Sequence, residues 1–278
     1  MDSQNVLGLI AGQGRLPFLV ADGAKRAKLK VICIGLTDSA EPELTEHVDV
    51  FFNGAIARPG GWMRKLRKHG VRETIMVGRV AKTKIYTPRR ILKYLPDWRA
   101  LRIWYWRLRK KDKRNDTVLC AIADEFASGG ILLEDSTMYC KEHLANEGVM
   151  TKCQPPATVW EDIKFGWDMV RKVGELDIGQ AIAVREREII AVEAIEGTAK
   201  MIERAGKLCK KGGWTLLKSA KPDQDVRFDV PCIGTDTIQS LKDNGAKCVV
   251  VQKEKTLIID KPETLALANK LNIAIVGY

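Results

Sequence analysis

Six apolar or small residues, Val6 to Ala11, run straight into Gly12-Gln13-Gly14 and then into a stretch of helical periodicity from Leu16 to Ala27. A buried strand, a glycine turn and a helix in direct succession open a parallel sheet wound by helices. The pattern recurs. Lys30 to Leu36 reads as a second strand, Asp49 to Phe52 as a short third, Gly61 to His69 as a basic helix and Glu73 to Val77 as a further strand.

The second half is of another kind. A helix over Thr158 to Val173 is followed by two short strands around a charged turn, Ala181 to Val184 and Ile189 to Val192. Helices over Thr198 to Leu208, Thr235 to Lys242 and Pro262 to Leu271 then alternate with the strands Trp214 to Lys218, Cys248 to Gln252, Thr256 to Ile259 and Ile273 to Val276. The expected fold is α/β: a Rossmann-like parallel-sheet domain over 1–145 and a mixed α/β domain over 146–278.

Bulk properties narrow the function. Lys and Arg number 46 against 35 Asp and Glu, a formal net charge of +11 that favours anionic partners. No recognition module for nucleic acid accompanies that charge, so a nucleic-acid partner is not expected. Seven cysteines without a C-x-x-C pair argue against a disulfide scaffold or a structural zinc site, and three scattered histidines against a histidine metal centre. No apolar run reaches the roughly 18 residues of a membrane span, and the N-terminus lacks a secretory pattern. The chain reads as cytoplasmic.

Several segments are candidates for chemistry. Gly12, Gln13 and Gly14 lie where a strand hands over to a helix, so their N–H groups either hold a phosphate or only form a tight turn. The dinucleotide fingerprint is broken, with Pro17 three residues after Gly14, which disfavours a nicotinamide cofactor. Gly78-Arg79 follows a later strand in the same way, and Arg79 is either a phosphate partner or a surface arginine. Two loops, Leu176 to Gln180 and Glu193 to Thr198, carry carboxylates at helix or strand ends, as caps or as Mg²⁺ ligands. Lys218 to Gly234 alternates Lys218, Lys221 and Arg227 with Asp223, Asp225 and Asp229. Asp229, between Phe228 and Val230, is expected to point inward and to need a partner such as a metal ion.

Trp98 to Arg114, WRALRIWYWRLRKKDKR, puts Trp98, Leu101, Trp104, Tyr105 and Leu108 on one helical arc and Arg99, Arg102, Arg109, Lys110 and Lys113 opposite. Such a helix packs its aromatic arc on the sheet and leaves a solvated basic back, or it lies on an anionic membrane. Membrane contact would make the protein peripheral on the inner face of the inner membrane.

LGLIAGQGRLP at Leu7 to Pro17, VGRV at Val77 to Val80, LDIGQ at Leu176 to Gln180, AVEAIEGT at Ala191 to Thr198 and KPDQDVRFDVPCIG at Lys221 to Gly234 occur in one order across the chain. Together they resemble the LpxI family of UDP-2,3-diacylglucosamine pyrophosphatases of lipid A biosynthesis. The resemblance implies a two-domain enzyme with a lipid-linked UDP-sugar substrate held between the domains and Mg²⁺ as cofactor. It implies the products UMP and 2,3-diacylglucosamine 1-phosphate, and an essential carboxylate at Asp229. On that reading the C-terminal domain is catalytic. Asp229 serves as catalyst and metal ligand, with Glu193 and Glu196 as further metal ligands and Lys218 and Lys221 as the cations on the phosphates. Gly12, Gln13, Gly14, Arg79, Asp177, Gln180 and Thr198 bind substrate. Ala199 stands where the family has an aspartate after EGT, with Asp223 and Asp225 as nearby substitutes. A non-catalytic nucleotide- or lipid-binding protein on the same scaffold is the alternative, and a homo-oligomer is compatible with either.

Overall fold

A computed structural model of the chain describes residues 5–80, 95–107, 115–222 and 224–278. The chain forms two compact units. One comprises Met1–Lys141 with Asp225–Asp229, the other Glu142–Gln224 with Val230–Tyr278.

The first unit follows the alternation read from its sequence: β1 (Val6–Ala11), α1 (Leu16–Arg26), β2 (Lys30–Leu36), β3 (Val50–Gly54), α2 (Pro59–Lys68) and β4 (Glu73–Val77). Then come α3 (Trp98–Arg102), α4 (Asn115–Ser128) and β5 (Leu132–Leu133). The five strands pair in parallel in the order β3-β2-β1-β4-β5. From β1 the chain winds outward to β2 and β3, then returns to place β4 on the other side of β1. The strand order therefore reverses between β1 and β4, which is where open parallel sheets bind ligands. Ile10, Ile32, Ile34, Trp62, Leu66 and Phe126 are among the buried residues of its core.

The second unit holds β6 (Gly148–Val149), α5 (Ala157–Glu175), β7 (Ala181–Arg185), β8 (Glu188–Val192), α6 (Thr198–Leu208) and β9 (Trp214–Lys218). It continues with β10 (Cys232–Ile233), α7 (Thr235–Asp243), β11 (Ala246–Val251), β12 (Leu257–Ile258), α8 (Lys261–Leu271) and β13 (Ala274–Gly277). Its mixed sheet runs β6-β13-β11-β9-β7-β8, and β10 and β12 form a separate parallel pair. The buried positions of β9, β11 and β13 are apolar except for Thr215 and Lys218 of β9, because both faces of the sheet are covered. Leu216, Val249, Val251 and Ile275 join Met201 and Ile202 of α6 on one face. Leu217, Val250 and Val276 join Ile163 and Val170 of α5 on the other.

The segment Asp225–Asp229 lies in the second half of the sequence but folds with the first unit. Val226 accepts hydrogen bonds from the Ser136 amide (3.2 Å) and hydroxyl (2.6 Å), and Phe228 packs against the first unit's core. Asp225 accepts from both ends of the Arg227 guanidinium, at 2.6 to 3.1 Å, and these bonds hold its carboxyl below the ordinary range.

Candidate functional site

At the carboxyl ends of β1 and β4 the two glycine turns meet. The Gly12 amide donates to the Val77 carbonyl (2.8 Å), while Gln13 and Arg79 exchange a pair of backbone bonds at 2.8 and 2.9 Å. Glycine is required on both sides of this crossing. A Cβ on Gly12 would stand 2.7 Å from the Arg79 carbonyl oxygen, and one on Gly78, at φ +94°, would stand 2.7 Å from the Gly12 carbonyl carbon. Gly14, at φ +105°, has open space where its Cβ would be. The structure thus brings Gly12, Gln13, Gly14 and Arg79 together at the point where strand order reverses. The side chains of Gln13 and Arg79 are both exposed, and no acidic residue occupies the first turn of α1. That turn and its helix N-terminus are suited to an anion.

The second unit brings together three other residues singled out in the sequence. Ala181 of β7 pairs with Lys218 of β9, and the Glu193 amide donates to the Ala181 carbonyl at 2.8 Å. Glu193 and Lys218 therefore flank Ala181 across three strands, on the face covered by α6. Thr198, the first residue of α6, bridges the two side chains. Thr198 donates its hydroxyl proton to Glu193 Oε1 (2.8 Å) and accepts from Lys218 Nζ (3.1 Å). Glu193 is 6% exposed and Lys218 5%. Burying two charges costs several kcal/mol each unless polar partners surround them, yet Glu193 Oε2 is buried with no hydrogen-bond partner. Gln180 Oε1, at the start of β7, is likewise buried and unpartnered.

Thr198 does not cap α6. The N-cap is Gly197, at φ +81°, with no side-chain bond and open space at its Cβ position. The hydroxyl is instead committed to the row between Lys218 and Glu193.

Other sequence expectations fall elsewhere. Glu196 has other partners: a bond from its own backbone amide, then those from Arg204 at 2.6 Å and the Ala194 amide at 3.2 Å, hold its carboxyl below the ordinary range. The two glutamates therefore do not form a ligand pair, and Glu196 braces a turn. Lys221 reaches Asp177 at 2.5 Å, so its charge is spent on that carboxylate. Asp229 is exposed rather than inward. The inward expectation assumed an extended segment with alternating sides. Residues 226–228 instead form a turn, and the amides of Phe228 and Asp229 both donate to the Asp225 carbonyl. Among the described residues, no group of three or more His, Cys, Asp or Glu side chains could hold a metal ion. Ala199 is exposed in the first turn of α6, and Asp225 is engaged by Arg227 in the first unit. Asp223 lies outside the described residues.

The tryptophan-rich segment is oriented opposite to a helix packed through its aromatic arc. Asp97 caps α3 through the Ala100 amide (2.9 Å) and also accepts from Gly60 at the start of α2 (2.7 Å). Arg99 and Arg102 turn inward onto Glu125, a fully buried carboxylate, at 2.5 and 2.6 Å. Trp98 is left 75% exposed, with Leu95, Leu101, Trp104 and Tyr105 also exposed. The helix turns into a π-type stretch at Ile103–Arg107, and Leu108 to Arg114 lie outside the described residues.

Sequence reasoning missed Gly179, Ala181 and Arg204. Gly179 was legible only as the glycine of LDIGQ, and its role rests on a contact with a residue fourteen positions away: a Cβ there would stand 2.1 Å from the Glu193 carbonyl oxygen.

These features define a two-unit α/β protein with polar sites at strand ends, one at a glycine crossing and one around a buried lysine–threonine–glutamate row. The chain belongs to the LpxI family: the family's N-terminal domain matches residues 6–143 and its C-terminal domain residues 146–276. It is 29% identical to the UDP-2,3-diacylglucosamine pyrophosphatase LpxI of Caulobacter vibrioides, over 98% of this chain and 96% of that protein.

Proposed function

We propose that this protein hydrolyses the diphosphate of UDP-2,3-diacylglucosamine to UMP and 2,3-diacylglucosamine 1-phosphate, a step of lipid A synthesis. Family membership and the relative's name support the reaction class. The observation that carries the site is the buried row Glu193–Thr198–Lys218 with one carboxylate oxygen unpartnered. A carboxylate held in this way fits a hard cation, and Mg²⁺ takes few protein ligands, filling its remaining positions with water and phosphate oxygens. Glu193 would hold it, and the bound ion would neutralise phosphate charge.

The protein's own groups do the rest. Lys218 Nζ spends one proton on Thr198 and offers the others to phosphate oxygens. The open N-terminus of α6 adds amide donors and a favourable dipole. Thr198 fixes the rotamers of both charged side chains, so they need no reorganisation when charge develops. Asp229, exposed on its turn in the first unit, is a further carboxylate proposed to act as a general base. The glycine crossing at Gly12–Gly14 and Arg79 is the anion-binding turn of the first unit.

Incubated with this substrate and Mg²⁺, the purified protein is expected to release UMP, and EDTA should abolish release. Stoichiometric binding of intact substrate without UMP would overturn the reaction and leave a binding protein.

We also propose that α3 rests on a membrane surface. Glu125 withdraws both arginines and leaves the indole of Trp98 outward, suited to the bilayer interface. No helix among the described residues is long and apolar enough to cross a membrane, so contact would be at the surface. A Trp98→Ser/Leu101→Ser protein is expected to sediment with phosphatidylglycerol vesicles about 10-fold less than wild type. Equal sedimentation would remove α3 from that role.

A further inference from the structure

In the first unit, the segment that carries α3 is clamped onto the start of α2. The Asp97 amide donates to the Ala57 carbonyl (3.1 Å), and Arg58 Nε donates to the Leu95 carbonyl (3.2 Å). The Asp97 carboxylate accepts from the amides of Gly60 (2.7 Å) and Gly61 (3.2 Å). This seats α3 directly against Gly60, where a Cβ would stand 2.7 Å from Asp97 Oδ2 and 3.3 Å from Arg99 Cδ. The exposed apolar side chains of the segment, Leu95, Trp98 and Leu101, are thereby carried beside α2.

The α2 helix holds charge of one sign. Arg64, Lys65, Arg67 and Lys68 face no Asp or Glu within Pro59–Lys68. At 100° per residue, Gly60, Arg64, Arg67 and Lys68 fall within one arc of about 100°, while Trp62 and Leu66 pack into the core. Arg64, Arg67 and Lys68 are exposed, and among the described residues no carboxylate pairs with them. Exposed surfaces ordinarily intersperse both signs. The helix dipole accounts for cations in the last turn, such as Arg67 and Lys68. It does not account for Arg64, in the middle of the helix, or for Arg58, at the N-cap where a cation is unfavourable. In α3 the basic residues are already engaged, since Arg99 and Arg102 are held by Glu125. The unengaged positive charge therefore lies on α2, on the arc that begins at the seat of α3.

We infer that α2 is the charged half of a surface whose apolar half is α3, and that Arg58, Arg64 and Lys68 direct the protein to membrane rich in anionic phospholipid. This rests on the membrane contact proposed for α3. A lipid surface uses both halves, with apolar side chains entering the interface and neighbouring cations meeting headgroup phosphates. A polynucleotide would use the cations and leave Leu95 and Leu101 without a partner.

The test is an Arg64→Gln/Lys68→Gln protein, whose melting temperature should match wild type because both side chains are exposed. Sedimentation would compare vesicles of phosphatidylcholine alone with vesicles of equal parts phosphatidylcholine and phosphatidylglycerol. Wild type is expected to prefer the mixed vesicles by about 10-fold at low salt, and high salt should abolish the preference. The variant should bind mixed vesicles no better than phosphatidylcholine, with binding to phosphatidylcholine unchanged. If wild type binds both vesicles equally, or the variant keeps the preference, α2 has no such role, and the contact through α3 stands or falls on its own variant. If the Arg64/Lys68 variant loses the preference while Trp98→Ser/Leu101→Ser binds as wild type, the charged half stands and the apolar contact fails. If random-sequence single-stranded DNA displaces wild type from mixed vesicles and binds the Arg64/Lys68 variant about 10-fold more weakly than wild type, the cations serve a polynucleotide and the lipid assignment is overturned.

Discussion

Replacing either proposed carboxylate, Glu193 by Gln or Asp229 by Asn, is expected to slow UMP release by about 10²- to 10³-fold with the fold intact, the usual loss when one preorganised charge-stabilising group is removed. The two substitutions differ in setting. Glu193 is buried, and its Oε1 accepts from Thr198. A glutamine amide oxygen can accept the same bond, so Thr198 keeps its place. What disappears is the negative charge on the unpartnered oxygen, where the cation is proposed to sit. Stability should change by no more than about 1 kcal/mol, because the lost charge-assisted bond is offset by the burial cost of a charge no longer present. Asp229 is exposed, so its replacement by Asn should leave stability within about 0.5 kcal/mol. Turnover assays paired with thermal melts check both. Near-normal turnover in Glu193→Gln would remove the buried row from the chemistry, and near-normal turnover in Asp229→Asn would remove the proposed base.

Gly179→Ala should be nearly as damaging to activity and more damaging to stability. Its methyl would occupy a position 2.1 Å from the Glu193 carbonyl oxygen. Both partners are backbone, so no side chain can swing aside. The start of β7 and the end of β8 must separate, which carries Gln180 and Glu193 with them. Overpacking of this kind costs about 1–3 kcal/mol, and a displacement near 1 Å in a catalytic group costs about 10²-fold in rate. Gly61→Ala is the matched control. Gly61 lies in α2 with open space at its Cβ position, so alanine there should be neutral or slightly stabilising. Thermal melts and UMP release on the two proteins separate a specific backbone contact from a general intolerance of glycine replacement. Equal behaviour of the two would refute the account of Gly179.

Much of this architecture was legible from local pattern. The alternation of Val6–Ala11, the glycine turn and the helix from Leu16 is written in adjacent residues, and so are the breaks between them. Periodicity and turn chemistry act over a few positions, so elements such as α6, β9 and the β7–β8 hairpin emerge from the chain alone. The candidate residues Thr198, Glu193 and Lys218 were also visible as motif members. That they form one hydrogen-bonded row was not, since it depends on Ala181 lying between β8 and β9.

Where local pattern failed, a distant contact had taken control. Asp229 was read as inward because its neighbours are apolar. The segment instead turns at Asp225, and Phe228 docks on the first unit, which leaves Asp229 exposed. Glu196 was read as a ligand, but Arg204, eight residues on, claims it. In α3 the helical wheel correctly separated an apolar arc from a basic one. Glu125, on a helix more than twenty residues away, determined which arc faces out. The sequence by itself determined which segments become strands, helices and turns, because steric and hydrogen-bonding preferences of neighbouring residues suffice for that. Only the tertiary structure decided which polar groups are buried together and which apolar ones remain outside, because burial and ion pairing are settled between residues that the chain keeps far apart.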